Sequence, residues 1–267
     1  MKITFLLTVC LAALGSAMAE PLPLTQSTFT EIIKDAKVVA ASTKAATRAQ
    51  TNEVVKAPDL VRTGPESRVE LTAPDETITR IGANTVFSFE PTGRTILLEH
   101  GSILFHSPKG KGGGTISSGG ASAAVLGTTL ICAVLLDGAF KTIVLEGHGK
   151  VTLRNGKFIL LDQGQMVIVL PGGDDFGPVE EINLKQLADH LLLLNGFSHP
   201  VSSWPLILVA IGEQEVRIAD GTAGRFAPLF VAGNGLDFFD GNADWKFRET
   251  LGNDKDHTQT PLSPCHP

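Results

Sequence analysis

Between Thr28 and Pro171 the apolar residues come in short runs, and a turn former interrupts nearly every run before it reaches the length of an ordinary helix. The breaks include Gly64-Pro65, Pro74-Asp75, Gly82, Pro91-Thr92-Gly93, Gly101, Gly119-Gly120, Gly147 and Gly164. A chain divided this way has too little unbroken length for helices, so it must bury its apolar residues by pairing strands. The centre of the run is Gly119–Val151. It predicts two long buried strands, Ala121–Leu136 and Phe140–Leu145, around an Asp137-Gly138 turn. A hairpin follows, because Asn155-Gly156 separates Val151–Leu153 from Phe158–Leu161 by a two-residue turn. Leu98-Glu99-His100-Gly101, Leu145-Glu146-Gly147 and Leu161-Asp162-Gln163-Gly164 echo one another: an acid, then a glycine, then a new strand. The expected fold class is mainly β, a glycine-punctuated sandwich, rolled sheet or short solenoid.

Outside that run the pattern changes. Ile182–Asn195 places Leu184, Leu187, Leu191 and Leu194 at helical spacing and ends at Gly196. Pro205–Ile211 opens a second helix with proline in its first turn. The resulting organisation is a leader over 1–19, a lead and first strand over 20–52 and a β domain over 53–171. A small helical extension over 172–214 and a mixed segment over 215–252 follow, the latter with a strand at Glu215–Ile218. Residues 253–267, polar and proline-rich, are expected to be disordered. The leader is inferred from Lys2, the apolar stretch Ile3–Leu14 and the small-residue site Ala17-Met18-Ala19, with cleavage after Ala19. It implies a periplasmic or secreted protein. No later stretch approaches the roughly 18 apolar residues of a membrane span.

Charge and composition exclude function classes. A net charge of −6 gains nothing from counterion release, which argues against nucleic acid. No Tyr and two Trp argue against a platform for stacked bases or sugars. The seven histidines show no zinc spacing, and no G-x-S-x-G motif occurs. No cofactor, no metal and no catalytic residue is expected. Glu99 and Glu146, at strand corners, are expected to cap or to pair with Arg68, Arg80 or Arg94. Cys132 lies in a buried strand pattern and is expected to be a free thiol, not a partner of Cys265. Pro108–Gly114, PKGKGGG, has neither the P-loop spacing nor a following helix pattern. It is expected to be an exposed cationic loop, and Lys109, Lys111, Gly112, Gly113 and Gly114 are the candidate interaction surface. The Leu187, Leu191 and Leu194 helix face is a second candidate, or a core face.

Six stretches carry a resemblance. VRTGPESRVEL (Val61–Leu71), DETITRIGANT (Asp75–Thr85), EHGSILFHSPKG (Glu99–Gly110), AAVLGTTLICAV (Ala123–Val134), LEGHGKVTL (Leu145–Leu153) and DQGQMVIV (Asp162–Val169) follow in an order that resembles the FecR-domain family. That family supplies the periplasmic sensing domain of bacterial transmembrane regulators. The resemblance implies a β module that binds protein. Leu126 stands where family members commonly carry Arg. The regulators place an anti-sigma segment and a membrane span before this domain, where here there is only the leader. The expected role is therefore contact with an unidentified envelope protein, not sigma-factor control. The alternative is an envelope module for a glycan or small ligand.

Overall fold

The computed structural model describes residues 21–135, 138–172, 174–224 and 226–227. The expected leader, Asp137 of the expected turn, Cys10, Cys265 and everything after Ala227 lie outside them. Strands β1 (Gln26–Ile33), β2 (Ala36–Val39), β3 (Ala46–Arg48), β4 (Val54–Lys56), β5 (Leu60–Thr63) and β6 (Arg68–Thr72) begin the chain. Strands β7 (Ile78–Ile81), β8 (Val86–Phe89), β9 (Thr95–His106), β10 (Gly114–Ser118), β11 (Ala121–Val125) and β12 (Thr129–Val134) come next. Then come β13 (Phe140–Glu146), β14 (His148–Leu153), β15 (Phe158–Asp162), β16 (Gln165–Val169), β17 (Glu180–Glu181) and helices α1 (Leu184–His190), α2 (Leu192–Asn195) and α3 (Trp204–Ala219).

The strands form one long sheet folded in two. One leaf runs β4-β1-β6-β7-β9-β12-β13-β16-β17, and the other runs β3-β2-β5-β8-β9-β10-β11-β14-β15. We call them the inner and outer leaf, because the helices cover the first. Strand β9 belongs to both: Ile96–His100 pairs with β8 in the outer leaf, and Gly101–His106 pairs with β12 in the inner leaf. The same holds for pairs of strands joined by short corners. β3 continues into β4, β1 into β2, β5 into β6, β7 into β8, β11 into β12, β13 into β14 and β15 into β16. The sheet is thus a meander of bent strands whose corners line up along one fold line. All pairings are antiparallel except β9 with β10, which enters the outer leaf as an extra strand.

The corners share one backbone device. Each carries a residue with positive φ: Asn52 (69°), Lys34 (67°), Glu66 (54°), Asn84 (50°), Gly101 (89°), Gly127 (69°), Gly147 (75°) and Gly164 (79°), in order along the fold line. A left-handed residue lets a strand turn out of one leaf and into the other within one or two residues. The acid-Gly echoes in the sequence are three of these crossings. One expectation is corrected here. Ala121–Leu136 is not one strand, because Gly127 turns the chain between leaves and splits it into β11 and β12. Thr95–His106 is a single strand bent at Gly101.

Burial follows leaf by leaf. In the outer leaf, ASAAV and HGKVTL alternate, with Ala121, Ala123, Val125, Val151 and Leu153 inward and Ser122, Lys150 and Thr152 outward. In the inner leaf, TLICAV and FKTIVLE are buried on both faces. Leu130, Cys132, Val134 and Val144 fill the core between the leaves. Ile131, Ala133, Ile143 and Leu145 point the other way, into a second core beneath the helices. Leu187, Leu191 and Leu194 belong to that second core, so the helix face packs and presents nothing to solvent. Cys132 is a buried free thiol whose pKa burial pushes up to about 12.

Asn183 caps α1 through its side chain, accepting from Gln186 N–H at 2.8 Å. The expected strand at Glu215–Ile218 is replaced by helix. Ile207, Ala210, Ile211 and Gln214 form a continuous buried stripe, and α3 runs on to Ala219 over it. The link between α2 and α3 is held by charge. Arg80, wholly buried, donates to Glu70 (2.8 Å), to the Leu193 and Leu194 carbonyls (3.2 and 3.0 Å) and to the His199 carbonyl (2.7 Å). Its guanidinium also lies 4.3 Å from the centre of the Phe197 ring. Glu31 accepts from Ser198 N–H and O–H at 3.0 and 2.7 Å. Arg80 and Arg94 therefore pair with Glu70 and Asp75, not with the corner acids Glu99 and Glu146. No helix of the described residues is long and apolar enough to cross a membrane.

Candidate functional site: a groove along the fold line

Three successive corners and one helix enclose an open groove of about 620 Å³. The corners contribute Leu126, Gly127 and Thr128, then Glu146, Gly147 and His148, then Gln163. Helix α3 forms the opposite wall with Leu206, Val209 and Glu213, and Lys109 closes one end. The walls are largely aliphatic. Leu126 is 82% exposed and Leu160, on the adjoining outer leaf, 67%. Apolar side chains left this open beside a concavity mark a contact surface.

Behind Glu146 of the lining lies a buried polar cluster. Thr129 donates its hydroxyl proton to Glu146 Oε1 at 2.7 Å. The Thr129 hydroxyl oxygen also lies 2.7 Å from Ser203 Oγ and 2.9 Å from His106 Nδ1. One hydroxyl with one proton and two lone pairs satisfies all three neighbours. Ser203 sits at the N-cap of α3, yet its side chain makes no capping bond. Its hydroxyl is turned to Thr129 instead, and this contact fixes the helix wall to β12. Burial raises the pKa of Glu146, while the Thr129 hydroxyl and the charge of Lys109 act to lower it. Burial depresses the pKa of His106.

The sign of the Glu146 effect gives a test. A carboxyl whose pKa is raised on folding contributes stability below its unfolded pKa and loses it as pH rises through the folded value. Glu146→Gln removes the ionisation and keeps the hydrogen-bond acceptor for Thr129. The variant's Tm relative to the native chain is expected to rise by a few degrees between pH 4 and pH 7, read by scanning calorimetry. A difference that is flat or falls with pH would show that burial does not raise the Glu146 pKa on folding.

The structure divides the candidate surface read from the sequence. Lys109 lines the groove. Lys111 is exposed but stands 3.7 Å from Glu76, away from it. Gly113 and Gly114 are buried and serve packing: Arg94 donates to the Gly113 carbonyl at 2.7 Å. A Cβ on Gly113 would collide with the Val125 carbonyl, and one on Gly114 would strike the Phe105 ring. A Cβ on Gly112 would strike Pro21. What the loop offers to solvent is Lys109, Gly110 and Lys111. Leu126, Leu160, Thr129, Ser203, Leu206 and Val209 were not singled out by the sequence as site residues. His148 pairs with Asp162 at 2.8 Å on the exposed rim. Among the described residues no cluster of three or more metal-ligating side chains occurs.

Comparison with known proteins bears on the same stretch. Residues 59–152 match the family model described as FecR protein, just over a third of the chain. The chain carries a FecR domain. The FecR match runs from β5 through β14 and holds every groove corner but the last. Strands β1–β4 and β15–β17 lie outside the matched residues, although they continue the same leaves. Two crystal structures of a candidate anti-sigma factor from Parabacteroides distasonis, at 1.65 and 2.50 Å, are similar at 18% identity and a TM-score of 0.41. Each likeness covers 46% of this chain and 59% of that one, so the chain spans less than two thirds of the protein it resembles. No curated protein matches.

Proposed function

We propose that this chain is an exported, non-enzymatic FecR-like module that works by protein–protein contact in the periplasm or cell envelope. One observation carries the reading. Helices cover one leaf of the folded sheet, while among the described residues no helix covers the other leaf, which carries Leu126, Phe158 and Leu160 in the open beside the groove. Such a surface suits a protein partner, with the groove as its anchoring pocket. Export is supported by the leader pattern of Met1–Ala19. The buried cluster behind the groove, with the Thr129 hydroxyl shared among Glu146, His106 and Ser203, ties α3 to β12.

The test is capture by the purified chain from its native envelope, with chemical crosslinking and mass spectrometry. The Leu126→Asp variant, altered at a fully open position, serves as the comparison. A partner crosslinked at the groove and reduced at least tenfold by Leu126→Asp is the expected result. Capture that is absent, or indifferent to the variant, overturns the reading. The groove volume itself favours a second reading, a module for a glycan or small ligand. A melting shift with such ligands in the absence of protein, abolished by Leu126→Asp, would select it.

A further inference from the structure

The outer leaf ends at β15, and among the described residues only β14 pairs with it. The ladder shows which backbone groups are left over. Leu153 N–H donates to the Lys157 carbonyl, so Leu153/Lys157, Val151/Ile159 and Gly149/Leu161 are the hydrogen-bonded pairs. Phe158 and Leu160 fall between them. Their N–H and C=O groups therefore point away from β14, toward the open edge. Asp162 also points that way, but its N–H already donates to Gln165 Oε1 at 2.8 Å. The free template is thus Phe158 to Leu160, and it runs toward the groove through Leu160.

The side chains at these positions are also exposed. Phe158 is 55% exposed, with the Lys150 ammonium 4.2 Å from its ring centre. Natural edges are blunted by prolines, bulges or inward charges. This one has none over Phe158–Leu160; it is flanked by cations. Residues 148–162 contain Lys150, Arg154 and Lys157 against Asp162, a net +2 in a chain of net −6; Lys157 stands 3.7 Å from Asp175, and Lys150 is the cation on the face of Phe158 and Leu160. The charge of the hairpin opposes that of the molecule, which is the pattern expected where an acidic partner is steered to one site.

We infer that β15 receives an extended acidic peptide segment of a partner protein as an added strand, its outward-facing side chains placing apolar residues on the Phe158–Leu160 shelf and a carboxylate beside them against Lys150. The inference rests on the protein-contact reading and deepens it. Main-chain bonds to Phe158 and Leu160 supply the attachment, and alternate side chains supply the selection.

The decisive experiment is selection of a random 12-residue peptide display library on the purified chain, repeated on two variants. Leu160→Pro removes the outward N–H, which no strand among the described residues uses, together with the Leu160 side chain of the shelf, and proline is tolerated on edge strands. Lys150→Glu with Lys157→Glu reverses the charge. Peptides carrying apolar and acidic residues on one strand face, at i and i+2 spacing, are expected, with binding reduced at least tenfold by either variant. Their binding should protect the Phe158 and Leu160 amides from hydrogen exchange. Selected peptides without that spacing, no enrichment at all, or binding that survives Leu160→Pro would overturn the inference. So would a dimer of the chain itself that Leu160→Pro dissolves, since the edge would then belong to a second copy. An envelope partner lost on Leu126→Asp but retained on Leu160→Pro would leave protein contact standing and remove only the added strand.

Discussion

Replacing Arg80 with Met is expected to destabilise the protein by about 3–5 kcal/mol, the cost of stranding one partner of a buried ion pair. Three consequences combine. Glu70 loses its guanidinium while remaining buried, the carbonyls of Leu193, Leu194 and His199 lose their donor, and Phe197 loses the cation above its ring. Arg80→Lys should recover only part of the loss, because one ammonium cannot span a carboxylate and three carbonyls. The double variant Arg80→Met with Glu70→Gln should be less destabilised than Arg80→Met alone, because no charge is then stranded. Guanidinium unfolding curves with unchanged slope give these differences directly. A loss below about 1 kcal/mol for Arg80→Met would show that the link between α2 and α3 holds itself without the arginine.

Gly101→Ala is expected to cost about 2–6 kcal/mol, from two sources that add. Positive φ at a residue with a Cβ costs about 1–3 kcal/mol. Forcing an atom into filled space costs about 1–3 kcal/mol more. At Gly101 φ is 89°, and the new Cβ would stand 2.5 Å from Thr85 Cα on the adjacent corner. That neighbour is backbone and cannot swing aside. Gly156→Ala separates the two sources: its φ is 85°, but a Cβ there meets nothing within 4 Å. The difference between the two melting curves measures the steric part. Equal losses would mean that the fold line yields at Gly101.

Much of the architecture was legible in the sequence because glycine serves one purpose here. Gly101, Gly147 and Gly164 mark crossings, and their acid-Gly echoes are visible without coordinates. The crossings at Lys34, Asn52, Glu66 and Asn84 were not, because those residues take positive φ in a context that nothing local announces. Lys34 and Glu66 are salt-bridged to each other across neighbouring corners, a tertiary fact. The β character of the inner leaf was clear from its apolar runs. Its second buried face was not, since a run such as TLICAV is the same whether one side or both are covered. Helix α1 was read from its leucine spacing, but the last turn of α3 was missed, because Glu215–Ile218 alternates like a strand on its exposed side. The groove was the least legible feature. Only Lys109 had been noticed, and the groove depends on Leu126, Leu160 and Val209, three aliphatic residues far apart in the chain and ordinary wherever they are buried.

A barrel must close, and closure ties its strand number to its shear and tilt. A sheet folded along a line has no such condition. Each bent strand brings its own left-handed corner and leans on its neighbour, so the margin that ends at β15 in one leaf and β17 in the other is a place where the molecule can grow. One more crossing would lengthen both leaves and both cores by the same step and leave the rest undisturbed. The size of such a domain is then set by how many times its chain was copied across the crease, not by geometry.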